Sequence, residues 1–136
     1  MVKTNKTMKI KNIFSDIPVE IPDELTEILI SSGDIRIERI ISKGQHSPEN
    51  FWYDQDQDEW VILLHGKARL KFYGQSEPVE LDTGDYINIP PHRKHRVEWT
   101  DPEEVCVWLV VYYLEGGTER RGDGETGSKK SVSRKQ

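Results

Sequence analysis

Four side chains in the middle of this sequence could do chemistry together: Tyr53, Gln55, Glu59 and His95. A carboxylate and an imidazole can share a divalent metal or pass a proton, and a phenol or amide beside them can hydrogen-bond a substrate. Tyr53, Gln55 and Glu59 lie at even intervals, so on an unbroken strand all three project to one face and Asp54 to the other. A one-residue bulge would reverse that parity, presenting Trp52 and Asp54, and Asp54 with Glu59 and His95 would make a better metal site. His95 follows Pro90-Pro91 and belongs to a different strand.

The elements that must position these groups are strands. Residues 35–41, 60–64, 68–72, 79–81, 86–89, 97–99 and 105–114 are apolar runs or alternate apolar with polar. Turn signals separate them at Ser32-Gly33-Asp34, His65-Gly66-Lys67, Tyr73-Gly74-Gln75 and Thr83-Gly84-Asp85. Short strands at such spacings predict an antiparallel sandwich or barrel. One short helix is expected over 22–30, where Pro22 opens a turn with Asp23 and Glu24, and Leu25, Ile28 and Leu29 have helical spacing.

The chain has 136 residues, 35% hydrophobic and 32% charged, the size and mix of one soluble domain. Its longest apolar stretch, 105–114, is about half of the ~20 residues a membrane helix needs, and residues 1–12 lack the apolar run of an export signal. A single cysteine, Cys106, permits no internal disulfide, so a cytoplasmic location is expected. Of the net charge of −5, residues 1–12 supply four lysines and no acid, and 115–136 six basic against four acidic residues, which leaves 13–114 at about −11. A domain that acidic repels phosphate backbones, so no nucleic-acid partner is expected. Residues 116–136 are rich in Gly, Ser, Thr, Lys and Arg with Val132 the lone large apolar side chain, a composition that predicts disorder. The resulting division is a flexible segment over 1–12, a barrel over 13–115 and a disordered tail over 116–136.

Over residues 35–113 the chain resembles the cupin superfamily, whose small jelly-roll barrels carry two motifs. In the first, a glycine precedes a His-x-His pair, with a glutamate three or four residues later and a second glycine after six more. Gly44, Tyr53-Asp54-Gln55, Glu59 and Gly66 match it, except that Tyr53 and Gln55 replace the histidines. The second runs from Gly84 through Pro90 to His95, with His92 where a glycine usually sits. The resemblance implies an all-β double-stranded β-helix in which His95 meets the first-motif residues across the barrel. It also implies a divalent transition metal (Fe, Mn, Ni, Zn or Cu), here held by Gln55, Glu59 and His95. An amide oxygen is a weak neutral ligand, and a phenol binds metal well only when deprotonated, so that site would be weakened or absent.

Three arrangements remain open from the residues. The set could hold a metal and act as an oxygenase, isomerase or lyase on a small polar substrate, with Glu59 and Tyr53 as candidate catalytic proton carriers. It could be a metal-free, non-catalytic pocket that binds or senses a small molecule. Or Glu59 and His95 could be an internal pair that satisfies buried polarity. His46, His65 and His92 fall in loops or turns and are expected at the surface, while Trp52 and Trp99 are expected at the pocket mouth. Jelly-roll pairing suggests a homodimer, with the apolar stretch 10–21 lying across the neighbour.

Overall fold

The computed structural model describes residues 8–115. Eight strands follow in order: β1 (Leu25–Ser32), β2 (Ile35–Ser42), β3 (Asp58–His65), β4 (Lys67–Phe72), β5 (Val79–Asp82), β6 (Tyr86–Ile89), β7 (His95–Thr100) and β8 (Cys106–Tyr113). They form two antiparallel sheets, β1-β2-β8-β3-β6 and β5-β4-β7, which make a jelly-roll double-stranded β-helix. The expectations of flexibility over 1–12 and disorder over 116–136 fall outside the described residues, apart from the exposed segment 8–12.

The expected helix over 22–30 is instead β1, which pairs along its length with β2 across the Ser32-Gly33-Asp34 turn. The reason is a bulge at Leu29, where the register shifts between Ile28 and Ile30. One extra residue in a strand breaks the period of two and leaves Leu25, Ile28 and Leu29 at intervals that imitate a helical stripe. Pairing with the whole of β2 outweighs the weak helix signals of Pro22 and its acids.

Alternating residues of the facing strands meet between the sheets. Val61, Leu63, Leu70, Phe72, Ile89, Trp108 and Val110 belong to this core, and Leu63 is fully buried. On the outer face of the larger sheet, Ile17 and Ile21 from the stretch 10–21 pack on Ile41 and Val107 of their own barrel. Arg39 on that face is also buried. It donates to Glu27 Oε1 at 2.6 Å and to the carbonyls of Ile13 and Ser15 at 2.9 and 2.7 Å, which ties the N-terminal segment to the barrel. Among the described residues no helix is long and apolar enough to cross a membrane.

Candidate functional site

Glu59 near the start of β3 and His95 at the start of β7 come from opposite sheets, and their side chains meet inside the barrel. Glu59 Oε1 lies 3.1 Å from His95 Nε2, with the two side chains only 12% and 5% exposed. The other ring nitrogen, Nδ1, is 2.8 Å from the Arg93 carbonyl oxygen. Both nitrogens therefore face acceptors, an arrangement satisfied when both carry hydrogen, that is, by imidazolium. Burial by itself pulls the His95 pKa down, but the hydrogen bond and charge of Glu59, with the Arg93 carbonyl, outweigh it and hold the ring above the ordinary histidine value.

Tyr53 and Gln55 flank this pair. Tyr53 and His95 exchange backbone hydrogen bonds, Tyr53 N to His95 O at 2.7 Å and His95 N to Tyr53 O at 3.1 Å. This bridge pins the short 53–55 segment to β7 and stacks the Tyr53 ring on the imidazole, with centroids 5.6 Å apart. Gln55 Nε2 donates to Glu59 Oε1 at 2.5 Å. Asp54 points the other way and its Oδ1 lies 2.8 Å from His92 Nδ1 at the surface. So the parity is that of an unbroken strand from Tyr53 to Gln55, and the arrangement in which Asp54 joins Glu59 and His95 is not adopted. His92 itself takes a φ of +63°, the conformation that a glycine more often supplies.

Tyr53, Glu59 and His95, but not Gln55, which stands behind Glu59, line a cavity of about 220 Å³ between the sheets. Its apolar wall includes Ile40, Val61, Leu70 and Trp108, and its polar lining adds Glu24, Glu38 and Tyr112 to Tyr53, Glu59 and His95. Part burial, then the Glu24 and Glu59 carboxylates, raise the Tyr53 phenol above its usual pKa, against a smaller opposing effect of a Ser47 hydrogen bond. Burial, reinforced by Glu59 and Glu38, drives Tyr112 far higher. Both phenols are thus protonated at neutral pH and can donate hydrogen bonds.

The donor set does not fit a resident transition metal. Among the described residues no three His, Cys, Asp or Glu side chains converge as a metal would need. The imidazole and the carboxylate are bonded to one another, and the other two groups, the Gln55 amide and the Tyr53 phenol, are neutral and weak as metal donors.

Sequence reasoning missed Glu24, Glu38 and Tyr112. Glu24 falls within the expected helix over 22–30. Glu38 carried a signal, a carboxylate two residues from Ile40 and so on the same inward face of β2. Trp52 and Trp99 do not line the cavity: Trp52 packs on Tyr73 at 5.2 Å, and Trp99 lies under the Arg69 guanidinium at 4.5 Å. Both are on the outer side of their segments, held by neighbours that the sequence alone could not pair with them. His46, His65 and His92 are exposed.

Comparisons with known proteins agree on one fold. The profile of a family described as the cupin domain matches residues 38–112. A solved structure from Ralstonia eutropha JMP134, provisionally named a mannose-6-phosphate isomerase, is similar at 45% identity with a TM-score of 0.75, covering 78% of this chain and 98% of that one. A cupin superfamily protein from Desulfitobacterium hafniense DCB-2 is 17% identical with a TM-score of 0.60, over 73% of this chain and 84% of that one. An RmlC-like cupin family protein with a double-stranded β-helix fold, from Methanocaldococcus jannaschii, is 18% identical with a TM-score of 0.58, over 73% and 87%. The last two likenesses are of fold alone. Among curated proteins, no sequence matches this chain.

Proposed function

The chain belongs to the cupin family, and on that premise we propose that its barrel is a metal-independent pocket for one small polar molecule. The observation that carries this reading is the buried His95–Glu59 pair at the inner end of the 220 Å³ cavity. Pockets for drug-sized ligands span roughly 300–1,000 Å³, so a cavity of about 220 Å³ suits a smaller molecule. Glu59 accepts hydrogen bonds from the ligand, the Tyr53 phenol donates one at the mouth, and His95 orients Glu59. Gln55 fixes the carboxylate from the other side.

A catalytic form of the same reading is favoured by the isomerase name of the Ralstonia protein. There, Glu59 takes a proton from the substrate and the protonated Tyr53 returns one elsewhere on it, while the His95 imidazolium balances the charge. Both phenol and carboxylate border one cavity, as such a transfer requires.

The test begins with protein purified without chelator. Elemental analysis is expected to find far less than one transition-metal ion per chain, and dialysis against EDTA is expected to leave the thermal midpoint unchanged. A stoichiometric metal whose removal lowers the midpoint would overturn the reading. Glu59→Gln is then expected to fold and to lose ligand binding. Binding that survives this change would move the ligand out of the barrel.

The reading includes a cytoplasmic protein, consistent with a lone buried Cys106, and a homodimer. The outer face of the larger sheet exposes Ile30, Ile35 and Tyr86 by 52%, 46% and 65%, beside the half-buried Ile37, Ile62 and Val111. A continuous apolar face of this kind suits an isologous contact with a second copy. Light scattering at micromolar concentration is expected to give twice the chain mass, and Ile30→Asp to give a monomer. A monomeric wild type would remove the dimer from this account.

A further inference from the structure

We propose that the cavity selects a small organic cation, an ammonium group on a short apolar body, and rejects phosphorylated sugars. The inference rests on reading the cavity as a ligand pocket and adds the charge of what enters it. Of the ionisable side chains that line it, Glu24, Glu38 and Glu59 are carboxylates, and none is lysine or arginine. Its one basic group, His95, is already paired with Glu59. Glu38 is balanced from beside the cavity by Arg36, whose Nε lies 2.8 Å from Glu38 Oε2. Glu24, by contrast, has no ion-pair partner among the described residues. The pocket therefore presents one uncompensated carboxylate in its lining, and phosphate would enter with no cationic group free to receive it.

A second, independent observation concerns the walls. The Arg36 guanidinium sits 4.4 Å from the centroid of the Tyr112 ring while it pairs with Glu38. The protein thus already binds one organic cation on Tyr112 and Glu38, by the combination of carboxylate and ring face that suits an ammonium group. Inside the cavity the same elements recur without a resident cation. The rings of Tyr53 and Trp108 border it, the exposed Glu24 is part of its lining, and Ile40 and Val61 give an apolar surface for an alkyl body. Partial burial first, and then the carboxylate of Glu38, raise the Glu24 pKa above its usual value.

The probes that separate the possibilities are choline, its uncharged isostere 3,3-dimethylbutan-1-ol, and mannose 6-phosphate. Each is titrated calorimetrically at low salt, with the indole resonance of Trp108 reporting whether binding occurs in the cavity. Choline is expected to bind about tenfold tighter than the isostere or better, with an affinity that falls as salt is added. Mannose 6-phosphate is expected not to shift Trp108. Glu24→Gln is expected to bring choline down to the affinity of the isostere and to leave the isostere unchanged. If the isostere binds as tightly as choline, or mannose 6-phosphate binds in the cavity, the charge selection is wrong and the ligand pocket stands. If none of the three shifts Trp108, the selection falls and the pocket reading is weakened with it.

Discussion

Replacing His95 with alanine is expected to lower the unfolding free energy by about 3–5 kcal/mol, the range for removing one partner of a buried ion pair. The loss has a specific origin. Glu59 is 12% exposed and bonded to His95, so without the imidazole its charge stays inside the barrel with only the Gln55 amide to serve it. The ring also lies between Tyr53 and Phe72, with centroids 5.6 and 6.1 Å away, and its removal leaves a gap there. Changing both partners, as in Glu59→Gln with His95→Gln, is expected to cost less than the two single changes together, because no charge is stranded. Urea unfolding of the four proteins measures this, and strict additivity would mean that the pair is not coupled.

The same pair sets a pH dependence with a definite sign. The folded imidazole titrates above its unfolded value of about 6.5, so its contribution is complete below that value and is lost as pH rises through the raised folded pKa. The stability advantage of the wild type over His95→Gln is therefore expected to narrow as the solution is taken from neutral to alkaline. An advantage that widened would show a ring held neutral.

Gly66→Ala is expected to destabilise the protein by about 2–6 kcal/mol, the sum of backbone strain and overpacking. Gly66 joins β3 to β4 with a φ of +111°, and a Cβ there would lie 2.8 Å from Cys106 Sγ and 2.9 Å from both Cys106 Cα and the Val105 carbonyl oxygen. Two of those three atoms are backbone at the start of β8 and cannot turn aside. Cys106 is itself fully buried and bonded through its Sγ to the Lys67 carbonyl. Adding Cys106→Ala is thus expected to restore little. Gly84, at φ +93°, has open space around the same position, so Gly84→Ala is expected to carry the strain alone, about 1–3 kcal/mol. Equal effects at the two glycines in urea unfolding would contradict this account of Gly66.

Several of these features were legible along the chain. The period of two gave seven of the eight strands within a few residues, and the spacing of Glu59, Gly66, Gly84 and His95 pointed to the barrel that the cupin comparison bears out. Intervals along one strand are fixed by covalent geometry, so the shared face of Tyr53, Gln55 and Glu59 could be stated before any partner was known. Where a bulge intervenes that logic fails, and at Leu29 it turned β1 into an apparent helix.

What the sequence by itself determined was the kind of fold and the identity of the groups able to enter it, a phenol and an amide in the place of two imidazoles. Only the tertiary structure decided how they are used. It turned Asp54 out to His92, joined Glu59 to His95, and brought Glu24 and Glu38 beside them from β1's approach and β2. The reason is physical. Side-chain parity is a local property of each strand, whereas the neighbours across a barrel depend on register, bulges and turns that no single segment encodes.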